Sequence, residues 1–202
     1  RDWEVIKEVV GDKKINVAKM RGTERNLKTL ISRCNILHYS GHGEEKKLVM
    51  EAQNGEEVDV DGKQLGKWIS KNLQLVFLAA CHSQKIGKMF AEKGVPHVVG
   101  SDDKIDDDTA RDFCKEFYRS LLSTKWTVQE SFDKAKELIR ESEAKKYMLL
   151  PEDGNHRVYF KFTKGEGLKE IPVLGSPSLP NPFFNAYDDV RELCNIFKKC
   201  AE

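Results

Sequence analysis

Residues 73–80 read LQLVFLAA and run straight into Cys81, and Ile36–Ser40 reads ILHYS and stops at Gly41-His42-Gly43. Apolar runs this short and continuous, bounded by turn residues, read as strands covered on both faces rather than as half-solvated ones. Such strands belong to mainly parallel sheets with a layer of helices on each side. That requirement governs how the rest of the chain is read.

The remaining segments supply the helices. Asp2–Val10 places Trp3, Ile6, Val9 and Val10 at helical spacing and ends at Gly11. Residues 15–20 (INVAKM) alternate like a short strand, and Thr23-x-x-Asn26 opens a helix that runs to Cys34. Residues 44–62 read as polar hairpins, with strands at 47–52 and 57–60 about an Asn54-Gly55 turn. Helices are predicted over 61–72, 86–93, 106–122 and 128–143, a third buried strand over 95–100, and a late edge strand over 157–163 (RVYFKFT). The expected fold is an α/β three-layer sandwich whose central, mainly parallel sheet is flanked by helices. In such sheets ligands bind at the carboxyl ends of the strands. The loops at His42 and Cys81 both fall there.

Composition narrows the function classes. Lys and Arg number 34 against 33 Asp and Glu, so no basic face for nucleic acid is expected. No apolar run reaches the roughly 20 residues of a membrane span, and the opening residues are no signal peptide. The start on Arg1, without Met, suggests a portion of a longer protein. The five cysteines, Cys34, Cys81, Cys114, Cys194 and Cys200, are odd in number and irregularly spaced. They form no C-x-x-C pair, and His38 and His42 have no thiols at zinc-site spacing. Neither a disulfide framework nor a metal or other cofactor is expected, and a reducing, cytoplasmic setting fits best.

A free thiol next to an imidazole makes a nucleophile. Thiol attack needs the thiolate, and a nearby histidine takes the proton and later returns it to the leaving amine. Gly43 lets a substrate backbone approach closely, and its N–H, with that of Cys81, is a natural oxyanion donor. Taken singly, a cysteine closing an apolar strand also describes an inert core thiol, and a histidine between glycines also describes an ordinary loop. The pairing at two strand ends is what points to Cys81 and His42 as a dyad.

The segments Leu37-His38-Tyr39-Ser40-Gly41-His42-Gly43 and Phe77-Leu78-Ala79-Ala80-Cys81-His82-Ser83 resemble the His-Gly and Cys motifs of caspase-like peptidases. Downstream, Val98-Val99-Gly100-Ser101, Ile105-Asp106-Asp107, Ala110, Phe113, Phe117-Tyr118, Leu121-Leu122, Thr127-Val128 and Ala135 are similar to CHAT domains in particular. The resemblance implies a cysteine endopeptidase acting on a protein or peptide substrate through a thioester at Cys81, over residues 1–164. CHAT domains commonly carry a Trp after the V-x-G strand, where this chain has Asp102-Asp103. The resemblance also implies a first strand ahead of the helix at Asp2.

Several residues have two readings. Asp102 and Asp103 are candidates for binding an Arg or Lys before the scissile bond; they also fit a solvated loop capping the next helix. Lys104, flanked by acids, is the nearest cation. His38 is expected to pack within its strand, His82 to line the cleft, and Glu44 and Glu45 to form a polar turn. Residues 165–182 have the Gly- and Pro-rich composition of a linker, and 183–202 form an amphipathic helix. The latter weakly resembles the approach to a STAND-type (NB-ARC-like) switch domain, a regulatory partner in the same polypeptide. A nucleotide-binding domain is disfavoured, because no G-x-x-x-x-G-K-[ST] loop is present. An inactive CHAT interaction module is the alternative to a peptidase, for a signalling or defence protein.

Overall fold

The computed structural model describes residues 2–160, apart from residues 12, 14, 45 and 53, together with residues 170–175. In chain order the elements are α1 (Asp2–Val10), β1 (Asn16–Arg21), α2 (Glu24–Ile31), β2 (Ile36–Ser40), β3 (Gly43–Glu44), β4 (Lys47–Glu51) and β5 (Glu57–Asp61). There follow α3 (Gly62–Trp68), β6 (Leu75–Ala79), α4 (Gln84–Glu92), β7 (His97–Ser101), α5 (Asp107–Leu122), α6 (Val128–Leu138), α7 (Glu141–Ala144), β8 (Tyr147–Leu150) and β9 (Glu170–Gly175).

A six-stranded sheet in the order β1-β9-β2-β6-β7-β8 forms the centre. It is parallel throughout except for β8, which pairs antiparallel with β7. Alternate residues of each strand feed two separate cores. Ile36, Leu75, Phe77 and Val99 pack with α1, α5 and α6 on one face. Leu37, Tyr39, Val76, Leu78 and Val98 pack with α2, α3 and α4 on the other. The expected three-layer sandwich is therefore the fold. A small antiparallel sheet, β3-β4-β5, leaves the main sheet directly after His42 and closes over the second core through Leu48, Met50 and Val60.

Helix starts follow local chemistry. Thr23 caps α2 by accepting from the Asn26 N–H, and Asp106 caps α5 by accepting from Asp108 and Thr109. Asp61 with Gln64, and Thr127 with Glu130, form reciprocal capping boxes on α3 and α6.

Five segments differ from expectation. The helix over 128–143 is broken, because Ile139 leaves the helix in extended backbone to pack against the first core. The helix over 61–72 likewise stops at Trp68, where Ile69 turns extended. Within 157–163, residues 157–160 form no strand; Tyr159 makes one bridge to Thr127, and the remainder lies outside the described residues. Strand β8 was not foreseen: Pro151 and Asp153-Gly154 mark only its end, and its state is set by antiparallel pairing with β7. Finally, β9 lies inside the stretch read as a linker from its composition. Backbone pairing with β1 and β2 decides its state, and Gly and Pro content alone does not report on that. The amphipathic helix at 183–202 lies outside the described residues.

Buried polar side chains are paired. His38 stacks on Phe77 with ring centroids 4.9 Å apart, and its Nδ1 lies 3.1 Å from the Tyr118 hydroxyl. Its Nε2 lies 3.3 Å from an Asp2 carboxylate oxygen. Burial works to raise the Asp2 carboxyl, but the hydrogen bond and charge of His38, with the Ser40 hydroxyl, bring it down to about 2. At the opposite end of the sheet, His97 and His156 meet Nδ1 to Nδ1 at 2.8 Å. Because His156 Nε2–H donates to the Pro151 carbonyl, its Nδ1 is the acceptor and His97 is the donor. Burial, and then the neighbouring His156, push His97 down to about 4.

Candidate active site

Strand register brings the two motif residues together. Ser40 pairs with Ala79 across β2 and β6, so His42 and Cys81 each lie two residues beyond the same rung. The ladder continues past the strands, with the Gly41 N–H donating to the Ala79 carbonyl at 3.2 Å. On the far side of His42 the approach is closer still. A Cβ on Gly43 would stand 2.7 Å from the Cys81 carbonyl oxygen and 3.0 Å from the Ala80 Cβ. Contact with the backbone of Cys81 thus by itself requires glycine at position 43.

His42 is exposed, and its backbone is pinned. Its carbonyl accepts the Val49 N–H at 3.3 Å and lies 2.8 Å from the hydroxyl of fully buried Tyr39. The Val49–His42 bond makes Gly43–Leu48 a non-hydrogen-bonded rung of β3 and β4, so the Gly43 N–H is left out of that ladder. Among the described residues, neither the His42 imidazole nor the Cys81 thiol has a hydrogen-bond partner. Catalytic contacts of this kind commonly tighten only when substrate binds.

Exposure separates the cysteines. Cys34 and Cys114 are buried, and Cys81 is partly exposed. Burial, with Asp2 nearby, pushes the Cys114 thiol well above its ordinary value, which keeps it protonated and unreactive. Cys194 and Cys200 lie outside the described residues.

The third loop at this sheet edge follows β7. Asp102 and Asp103 are both exposed, so neither forms the half-buried acid expected of a deep pocket. Asp103 Oδ1 accepts the Lys104 N–H, and its Oδ2 faces Lys146 Nζ at 3.9 Å. Lys146, which sequence reasoning missed, also bonds Glu143 and the Lys104 carbonyl, each at 2.8 Å. It comes here only because β8 runs antiparallel to β7, pairing Ser101 with Tyr147. The Asp102 carboxylate makes no hydrogen bond among the described residues, and Lys146 interacts with its charge more weakly than with that of Asp103. His38 is fully buried and belongs to the core, as expected. Of Glu44 and Glu45, no side chain is among those described. No group of three or more His, Cys, Asp or Glu among the described residues is arranged to hold a metal ion.

The chain matches the CHAT domain over residues 1–173. It belongs to the CHAT domain family. The match extends past residue 164 and into β9, so the CHAT domain takes in part of the stretch read as a linker. CHAT domains are related to the caspase-like cysteine peptidases, and the CHAT match covers every residue of the candidate site. No curated protein matches the sequence. No helix among the described residues of this CHAT domain is long and apolar enough to cross a membrane.

Proposed function

We propose that this CHAT domain is a cysteine endopeptidase with Cys81 as nucleophile and His42 as general base. The observation that supports it most is the common register of β2 and β6, which sets His42 beside the one partly exposed cysteine among the described residues. His42 takes the Cys81 proton, and the thiolate attacks the scissile carbonyl carbon. The developing oxyanion is received by the N–H groups of Gly43 and Cys81, each worth roughly 3 kcal/mol where such donors have been removed elsewhere. Collapse breaks the C–N bond as His42 returns its proton to the leaving amine, leaving a thioester on Cys81. Water, deprotonated by His42, then hydrolyses the thioester and frees the thiol.

The preferred residue before the scissile bond is Arg or Lys, held by Asp102. An exposed ion pair contributes only about 0.2–1 kcal/mol, so the preference is at most about fivefold, far from absolute. Fluorogenic peptides differing only at that residue test both parts. Wild type should cut Arg and Lys peptides fastest, Cys81→Ala should cut none, and His42→Ala should lose several orders of magnitude. Cys34→Ala and Cys114→Ala should retain cleavage. Equal rates in Cys81→Ala and wild type rule the mechanism out. Retained Arg preference in Asp102→Asn removes only the assignment of Asp102. A wild type that cuts nothing supports the inactive interaction module instead.

A further inference from the structure

We infer that Ser101 and His82 are positioning residues that fix the two peptide groups flanking Cys81, and with them the direction of its oxyanion-binding N–H. The inference rests on the peptidase reading above.

The turn over residues 80–83 is bound to the end of β7 by three hydrogen bonds. The Ser101 hydroxyl donates to the Ala80 carbonyl at 3.1 Å, and the Ser101 N–H donates to the Ser83 hydroxyl at 3.0 Å. The His82 ring lies with Nδ1 3.2 Å from the Asp102 carbonyl oxygen. A carbonyl can only accept, so His82 Nδ1 carries the proton. Ser83 and Ser101 are buried, so water does not compete for their bonds.

The first bond matters for a geometric reason. The Ala80 carbonyl and the Cys81 N–H share one planar trans peptide and point in opposite directions. Holding that carbonyl on Ser101 therefore aims the Cys81 N–H and prevents the plane from turning. The second peptide group, between Cys81 and His82, is confined from two sides. Its carbonyl lies against Gly43, and its other residue, His82, has a φ of 51°. That left-handed backbone is unfavourable for a residue with a Cβ and persists only where surrounding contacts impose it. Thr124 is the other described non-glycine residue with a positive φ, and it follows the end of α5, away from this loop. Glycine would adopt the conformation without strain. A histidine there is explained by a ring that reaches Asp102. The same bond joins the nucleophile's turn to the loop carrying the proposed specificity acid, whose own N–H is held by the Lys146 carbonyl at 3.0 Å.

The test uses the whole chain with Ser101→Ala, His82→Ala and His82→Gly, and the best peptide substrate of the preceding set. Three readouts are taken: steady-state kinetics, the rate of Cys81 alkylation by iodoacetamide, and thermal melting. Ser101→Ala should lower kcat by about 10- to 100-fold, and each His82 variant by about 10-fold, with KM within about twofold. Alkylation uses no oxyanion donor, so its rate and pH profile should stay within about threefold of wild type. His82→Gly decides between a ring that positions and a backbone that merely needs φ above zero. If His82→Gly matches wild type in kcat, the positioning role is overturned. A parallel fall in alkylation and kcat also overturns it, because His82 then acts on thiol ionisation. Should Ser101→Ala fail to fold, the exposed His82 variants carry the test alone. A wild type that cuts nothing overturns the peptidase reading and this inference with it. A cleaving wild type with unchanged variants overturns this inference only.

Discussion

A methyl group at position 43 would test how near the two motif loops must come. The Ala side chain has nowhere to go but into the Cys81 carbonyl and the Ala80 Cβ, so the loops must separate by several tenths of an ångström or more. Displacements of about 1 Å at reacting groups cost on the order of 100-fold in rate. Gly43→Ala should therefore lower kcat/KM by roughly that factor while leaving the far-UV spectrum unchanged; a peptide-cleavage assay on both proteins checks it. At this scale the sequence was legible in part. Cys81 and His42 stand out as candidates because each follows the end of an apolar run, a local signal. Tyr39, Ser101 and Lys146 were not assigned their roles, because their partners are distant in sequence or bonded through the backbone. Nothing along the chain shows that the Tyr39 hydroxyl reaches the carbonyls of His42 and Val49. The two acids at 102 and 103 look equivalent in sequence, and the fold brings Lys146 within ion-pair distance of Asp103.

Elements whose ends are written in side-chain chemistry were the easiest to foresee. Thr127 is an example: its hydroxyl oxygen accepts the Glu130 N–H, and its own N–H is bonded by the Glu130 carboxylate. Replacing a capping Thr by Ala typically costs about 1 kcal/mol and up to about 2. Thr127 is buried and its bridge to Tyr159 also ties down the following segment, so Thr127→Ala should fall at the upper end. Urea denaturation should show that loss, and Cys81 alkylation should not change, since α6 lies against the first core and away from the turn that carries Cys81. The buried strands β2, β6 and β7 were equally plain, being apolar on both faces. Elements fixed by tertiary pairing were not. The end of α6 is set by where Ile139 finds the core, β8 by its antiparallel partner, and β9 by the slot between β1 and β2.

For the whole molecule, the titrating groups set a definite acid response. His97 is held at about 4 when folded, against an ordinary value near 6.5. Between those values the unfolded chain binds a proton that the folded chain does not. Stability from this site is therefore complete above about pH 6.5 and declines as pH falls towards 4, by roughly 3 kcal/mol in all. Asp2 behaves similarly in a lower window. With its carboxyl depressed to about 2, its contribution is present above about pH 4 and is lost as pH falls through 2. Denaturant midpoints measured between pH 7.5 and about 1.5 should show two successive declines. His97→Phe should flatten the upper one and Asp2→Asn only the lower. A midpoint that is constant from pH 7 to 4.5 would contradict the His97 assignment.

The placement of β9 carries a consequence in time. Strand β2, which ends two residues before the proposed general base His42, pairs with β6 on one side and with β9 on the other, His38 lying opposite Val173. Translation at roughly 5–20 residues per second separates the emergence of these two partners by on the order of ten seconds. During that interval β2 presents one open edge, and β1 has no strand beside it at all. An open edge on an apolar strand is a template for pairing with other chains. The strand that leads to His42 thus waits for β9 before both its edges are paired, and a ribosome-bound chain is at greatest risk of mispairing beside the proposed active centre.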